Sequence, residues 1–189
     1  MSSNLIQLVQ YFAVAQLAGR STSAMFWIRK IAESWPRIAE MLHAIHFRAN
    51  GLYGDSELLE KLPSTIANPT FAAWLSLLRT DLEFRLDTRE NVNLYRTQGG
   101  QKQASKLEWS NSNNYLSLRA QLYLTFGISK PLAEIISKLN TASLENTSKA
   151  ALCNAIGSVG PGLLQAENTD LLSHACYILF SDGTSESAI

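Results

Sequence analysis

The chain has 189 residues, with 16 Lys and Arg against 16 Asp and Glu, so its formal net charge is zero. This balance excludes a protein that attracts nucleic acid through an overall positive field. Charged residues make up 17% of the chain, below the usual figure of about 25%. The length suits one domain with a substantial core, and the shortage of charge is typical of a subunit that neighbours cover.

The chain also lacks the signals of membrane insertion and secretion. No apolar run reaches the length of a membrane span, and no Lys or Arg precedes the apolar residues 5–18 as a secretory signal requires. Cys153 and Cys176 each lie in an apolar helical pattern, which is typical of buried, reduced thiols. We therefore expect a cytoplasmic or virion protein that is not secreted and does not enter a membrane.

Apolar spacing predicts two helices at the start of the chain. The first covers residues 4–18, and the second runs from a cap at Thr22 or Ser23 to about Glu33. A third helix is predicted over 36–49, starting at Pro36 because proline is tolerated in a first turn. Three of its residues lie opposite the apolar stripe, and we take them as interface candidates: Glu40, His43 and Phe47. A phenylalanine in that position is either packed under a neighbouring element of the same chain or offered to another subunit, so the helix is covered on two sides in both cases.

Glu40, His43 and His46 follow one another at spacings of three, which resembles half of a di-iron site. The second Glu-x-x-His pair and the further carboxylates of such a site are missing from the sequence. We therefore expect structural histidines, with no metal and no cofactor.

The densest apolar stretch begins at Asn68-Pro69, which is typical of a helix N-terminus. The spacing predicts a helix to about residue 82, with Leu77 and Phe84 opposite its main face as further interface candidates. Residues 82–87 alternate apolar and charged, so a strand pairing 82–87 with 116–126 remains an alternative.

A run of cations accompanies and follows this helix, and we take its members as candidate nucleic-acid ligands: Arg79, Arg85, Arg89, Arg96, Lys102 and Lys106. The planar guanidinium donates two parallel hydrogen bonds to phosphate. Acidic residues are interleaved with the arginines, and Asp81 with Arg85 forms an i, i+4 pair. A solvated face of ion pairs is the alternative interpretation.

The remainder is predicted to be a polar loop over 97–114 followed by further helices. These helices cover 115–126, begin again at Ser129, run from about 142 to Ile156 and resume at Thr169, with a turn at Gly157–Gly162. The fold class is all-α, a single-domain bundle of about seven to eight helices over residues 1–180 with a flexible tail over 181–189.

Two segments resemble the coat proteins of rod-shaped plant RNA viruses. They are the run from Trp35 to Phe47, with its spaced apolar residues, and the later Phe84-Arg-Leu-Asp-Thr-Arg89. The resemblance covers about residues 35–89. It implies a helical-bundle subunit that polymerises around single-stranded RNA, with arginines such as Arg85 and Arg89 near the phosphates.

The sequence carries no recognisable catalytic motif, neither Gly-x-Ser-x-Gly nor His-Glu-x-x-His. We therefore expect a non-enzymatic helical subunit that self-assembles and coats or scaffolds nucleic acid, most concretely a viral coat protein. Two alternatives remain open. One is a helical adaptor or small subunit of a larger protein assembly, and the other is a ligand-binding bundle or an enzyme of unknown reaction.

Overall fold

The computed structural model describes residues 2–95, 113–128 and 143–165, and four single positions (132, 135, 138 and 139). This part of the chain contains seven α-helices and no strand, which confirms the all-α prediction. In chain order the helices are α1 Ser2–Leu17, α2 Ser21–Ala32, α3 Pro36–Ala49, α4 Asp55–Lys61, α5 Pro69–Tyr95, α6 Asn113–Thr125 and α7 Asn146–Gln165. None of the described helices is long and apolar enough to cross a membrane.

The helices form a closed circuit around one core. Each helix packs against the next along the chain, and α7 returns to pack against α1. Helix α6 also contacts α1. Most apolar side chains buried within the described part of the chain belong to one continuous cluster that extends from Leu5 in α1 to Leu163 in α7. Every helix therefore has at least two neighbours in sequence or space that fix its position.

Helix α5 begins as the sequence predicts. The side-chain Oδ1 of Asn68 accepts hydrogen bonds from the backbone N–H groups of Thr70 at 3.1 Å and Phe71 at 3.3 Å. These two donors have no partner inside the helix, so the cap satisfies them. The Pro69 start is thus explained by local chemistry alone.

The far end of α5 differs from the prediction. The helix does not stop near residue 82 but continues to Tyr95, and the proposed strand over 82–87 is wrong because these residues are helical. Helix α6 likewise covers 113–125, so the partner strand at 116–126 is also absent. Of the charged residues in this alternation, Arg85 faces inward, towards Asp55 on α4, whereas Glu83 and Asp87 are exposed.

The predicted turn at Gly157–Gly162 is also wrong, because α7 continues through Gly157 and Pro161 to Gln165. Packing against α1 overrides the local preference of glycine and proline to end a helix. A Cβ placed on Gly162 would lie 2.7 Å from the carbonyl oxygen of Val14. Only a glycine permits so close an approach of the two backbones.

A second glycine brings the end of α6 onto the same helix. Gly127 has φ +69°, and a Cβ there would lie 2.6 Å from the carbonyl oxygen of Ala13. Residues Ala13 and Val14 are therefore approached from two sides by backbone without an intervening side chain. Close packing of uncharged groups therefore holds α1 against these two elements.

Several predicted elements fall outside or partly outside the described residues. Residues 97–112 of the polar loop, the helix from Thr169 and the tail over 181–189 lie outside them. The helix predicted from Ser129 is described only at single positions, of which Leu132 and Ile135 are helical and buried. The sequence predicts a loop that extends to 114, whereas α6 already begins at Asn113.

Candidate functional site

Two of the arginines predicted to bind nucleic acid have internal partners. The guanidinium of Arg79 donates to the carbonyl oxygens of Leu62 at 3.1 Å and Pro63 at 2.7 Å. Leu62 follows the last turn of α4, where helix carbonyls have no partner of their own. Arg79 therefore joins α5 to the end of α4.

Arg85 lies between two buried carboxylates. Its Nη2 is 3.1 Å from Oδ1 of Asp55, and its Nε is 3.5 Å from Oδ2 of Asp81, which confirms the predicted i, i+4 pair. The side chains of both aspartates are fully buried. Asp55 also receives a hydrogen bond from Nε of Arg48 at 3.0 Å. The charge of Arg85 is thus directed into the bundle.

Asp81 is the centre of this arrangement. Its Oδ1 accepts a hydrogen bond from the hydroxyl of Tyr115 at 2.6 Å and lies 2.6 Å from Nε of Arg119. Its Oδ2 accepts a hydrogen bond from the hydroxyl of Tyr123. The guanidinium carbon of Arg119 is 5.6 Å from the ring centre of each tyrosine, within the range of a cation–π contact.

We call this set the ion-pair network. Its members are Arg48, Asp55, Asp81, Arg85, Tyr115, Arg119 and Tyr123. It joins α3, α4, α5 and α6 and holds three guanidinium groups against two carboxylates. Removing one partner from such a buried set leaves an uncompensated charge. The network therefore orients the helices and leaves little of Arg85 available to a ligand.

The protonation states of the network follow from its burial. Burial raises the pKa of the Tyr115 and Tyr123 hydroxyls, and the negative charge of Asp81 raises each further. Both phenols therefore remain protonated and can donate to the carboxylate. Burial is the largest single influence and acts against the charged form of Arg119, but Asp81, Tyr123 and Tyr115 together outweigh it, so the net effect on the pKa of Arg119 is upward.

A spacing in the sequence could have revealed this cluster. Tyr115, Arg119 and Tyr123 recur every four residues, which places them on one face of a helix. Asp81 and Arg85 have the same spacing on α5. Two helices with matching polar positions inside apolar faces are expected to meet there, although the sequence alone does not say which pairs meet.

The side chains of the other four predicted cations lie outside the described part of the structure. Arg89 belongs to α5, although its side chain is outside the described residues. Arg96, Lys102 and Lys106 lie outside the described residues altogether. The prediction that these four bind nucleic acid therefore stays a prediction.

The interface residues predicted on α3 are partly covered by their own chain. Phe47 is half-buried, with its ring 4.2 Å from that of His43 and edge-on to Tyr53 at 5.2 Å. The exposed Glu40 pairs with Arg37 at 3.0 Å. The covering of Phe47 that the sequence predicts is thus supplied in part by the residues that follow α3.

Leu77 and Phe84 on α5 are also half-buried. Leu77 packs against the main core, and the ring of Phe84 lies edge-on to Tyr115 at 6.3 Å. The second apolar side of α5 therefore faces the chain's own helices to a large extent. Neither residue offers a broad exposed surface.

His46 is buried between α3 and α1. Its Nδ1 lies 2.6 Å from Oε1 of Gln16, and burial, with a smaller contribution from His43, lowers the pKa of its imidazole. Because the amide oxygen is an acceptor, we assign the proton to Nδ1. Among the described residues there is no cluster of His, Cys, Asp and Glu that could hold a metal ion. The hydrogen bond from His46 to Gln16 connects α3 with α1.

An exposed group of rings lies across α1 and α2, and we call it the aromatic surface. The ring centre of Trp27 is 4.8 Å from that of Tyr11 and 4.9 Å from that of Phe26. Tyr11 is 42% exposed and Phe26 49% exposed. Clustered exposed rings of this kind are typical of protein–protein contacts. The sequence pattern does not single out these three residues.

A cleft of about 270 Å³ opens on another side of α1, between α1, α5, α6 and α7. Phe71 and Trp74 of α5 form one wall, and α7 contributes small residues such as Ala151 and Ala155. Ile6 at its edge is 50% exposed. None of its thirteen lining residues is ionisable, so the cleft is an uncharged surface for an uncharged occupant.

The two surfaces flank α1, a helix that contains no acidic or basic residue. All 16 residues of α1 are apolar or neutral polar, and Ile6 and Tyr11 are about half exposed. A surface helix normally presents charge to solvent. The arrangement can therefore bury α1 against another molecule without leaving a charge unpaired.

Comparison of the chain with known protein families, with curated protein sequences and with solved structures gives no match.

Proposed function

We propose that this protein is a non-enzymatic helical subunit that self-assembles and coats single-stranded RNA, as a viral coat protein does. The observation that carries the proposal is the uncharged helix α1, with its half-exposed Ile6 and Tyr11. Exposed apolar surface in a protein poor in charge is stabilised when another subunit covers it. The resemblance of residues 35–89 to rod-shaped virus coat proteins supports the same function.

The RNA contact in this proposal uses the cations beyond the ion-pair network. Arg79 and Arg85 are held by internal oxygen atoms. That leaves the four cations that follow along the chain, which are Arg89, Arg96, Lys102 and Lys106. A neutral protein can bind RNA through a few local cations, because each neutralised phosphate releases a counterion.

The experiment combines the purified full chain with single-stranded RNA. We expect particles or filaments by electron microscopy, protection of the RNA from nuclease, and binding that weakens as salt is raised. Sedimentation at several protein concentrations measures self-assembly separately. A protein that stays monomeric and leaves the RNA unprotected at low salt would overturn the proposal.

A pair of charge variants locates the RNA-binding residues. Replacing the four candidate cations by Gln should weaken RNA binding and reduce the salt slope, by about 0.7 for each phosphate of a single strand that is no longer neutralised. The control replaces four exposed cations elsewhere: Arg20, Arg29, Arg37 and Lys61. Equal effects in both variants would show non-specific attraction and would contradict the assignment.

A further inference from the structure

The cleft and the aromatic surface are complementary in chemistry. A partner that placed a charge in the cleft would leave it unpaired, since no lining residue is ionisable. The lining combines apolar residues such as Phe71 and Trp74 with neutral polar residues such as Gln10 and Gln121. A fitting occupant therefore presents uncharged side chains that are apolar or weakly polar. The aromatic surface of this same chain does so. Phe26 and Tyr11 project into solvent, and the ring of Trp27 packs against both of them.

The size of the cleft favours a side chain over a longer segment. The cleft has a volume of about 270 Å³. That volume suits one large ring with part of a second. Phe26, the more exposed of the two projecting rings, is the natural anchor, and a buried aromatic anchor is the usual centre of binding energy at an interface.

The directions of the two surfaces determine the symmetry of the contact. Ile6 at the cleft and Tyr11 in the aromatic surface are five residues apart on α1, which separates them by about 140° around the helix axis. This separation favours one contact between a cleft and an aromatic surface in each pair of copies over a two-fold pair that uses both surfaces at once. Joining a cleft to an aromatic surface head to tail produces a ring or an open filament.

We infer that the cleft between α1, α5, α6 and α7 receives the aromatic surface of a second copy of this chain, with Phe26 as the anchor. The inference rests on the proposed self-assembly and specifies its contact. Its head-to-tail geometry leaves an unused cleft at one end of every open oligomer and an unused aromatic surface at the other. Growth therefore does not stop at a dimer.

The test uses two variants of the full chain, each of which disables one surface. Ala151→Glu places a charge in the cleft, and Phe26→Ala removes the anchor. Both positions are exposed, so we expect both variants to fold, as circular dichroism and thermal unfolding will show. Nuclease-treated, RNA-free protein is examined by sedimentation over a range of concentrations, which separates this contact from RNA binding.

Each variant alone should lose self-association, with the apparent dissociation constant raised about thirtyfold or more. A 1:1 mixture should form a discrete heterodimer, because one variant retains its aromatic surface and the other its cleft. The matched control is Ala150→Glu, next to Ala151 on α7, equally exposed but outside the cleft lining. It should assemble as the unmodified chain does.

Three outcomes would overturn the inference. They are equal effects of the two α7 variants, assembly that survives Phe26→Ala, and a mixture that stays monomeric. If RNA protection and its dependence on the four cations persist in these cases, the proposed function stands and only this contact fails. If the unmodified chain is monomeric with and without RNA, the self-assembly in both proposals fails.

Discussion

Two halves of this bundle are held together by different physics. Around α4, α5 and α6, buried aspartates are paired with arginines and tyrosines in the ion-pair network. Around α1 and α7, glycine allows two backbones to approach closely, and α1 has no charged side chain. The first half uses charge to fix the helices, whereas the second half leaves an uncharged surface that can be covered.

The difference between the halves explains why charge is unevenly distributed over the surface of a neutral chain. Arginines that the sequence offers as ligands for phosphate are used inside the protein, so the charge on the described surface is smaller than the sequence implies. Helix α1 has no charged side chain with which to form an ion pair, so its packing depends on shape. Substitutions that change charge should therefore act mainly in one half, and substitutions that change volume mainly in the other.

The largest effect is expected from Asp81→Asn, which removes the carboxylate at the centre of the network. Arg85 and Arg119 then lose an ion partner inside the bundle, which should lower the free energy of unfolding by about 3–5 kcal/mol. Urea unfolding followed by circular dichroism measures it. The exposed neighbour Glu83→Gln should change stability by less than about 0.5 kcal/mol. Similar losses in the two variants would contradict a structural role for the network.

In the half around α1 and α7, substitutions at two glycines of α7 should have opposite effects on stability. Gly162→Ala forces a Cβ against the backbone of Val14, 2.7 Å from its carbonyl oxygen, and should destabilise the protein by about 1–3 kcal/mol. Gly157→Ala meets open space and should stabilise the helix by about 0.5–1 kcal/mol. Thermal unfolding of both variants checks the signs, and a shared sign would show that close packing of α7 on α1 is not what holds this half.

Alkaline pH should weaken the network selectively. Burial first, and then Asp81, raise the pKa of the Tyr115 and Tyr123 hydroxyls above the ordinary value of 10. Unfolded phenols lose their protons above about pH 10 while the folded ones keep them, so stability is full below that pH and falls as pH rises. Urea midpoints between about pH 9 and 11 measure the decline. The double variant Y115F/Y123F should show a shallower decline, and an unchanged slope would exclude these tyrosines as its cause.

The smallest effect on stability is expected from the hydrogen bond between His46 of α3 and Gln16 of α1. Burial, then His43, lowers the pKa of His46 below 6.5, so the unfolded chain binds the proton first as pH falls. Stability is therefore present above pH 6.5 and decreases below it, until the folded imidazole is also protonated. Comparing unfolding between about pH 8 and 5 with that of His46→Gln tests this. A variant with the same acid dependence would assign the decline to other groups.

Local sequence signals are sufficient to predict where a helix begins when a capping residue or a proline stands at that position. Asn68 caps α5 through its side-chain oxygen, and Pro36 opens α3, as predicted. Apolar spacing of about 3.6 residues indicates the all-α class, because that period places side chains on one helical face whatever the neighbours are. These features depend on residues within one or two turns of each other.

The same local signals give wrong predictions where contacts with distant residues outweigh the local conformational preference. Residues 82–87 resemble a strand in isolation but are helical, since Asp81 and Arg85 find ion partners on α4 and α6. Gly157 resembles a helix end, yet α7 continues because Gly162 packs against α1. The site is affected in the same way, for Arg79 and Arg85 are bound internally rather than exposed, and the cleft has no local signature.

The sequence by itself therefore determined the helical class, the starts of α3 and α5 and the absence of charge from α1, which are properties of adjacent residues. Only the tertiary structure decided which arginines are internal, where α5 and α7 end, and that the aromatic surface and the cleft lie on different sides of α1. Those outcomes depend on pairs such as Asp81 with Tyr123 and Gly162 with Val14. Such pairs lie far apart along the chain, and the free energy of their contact exceeds the local preference of either partner.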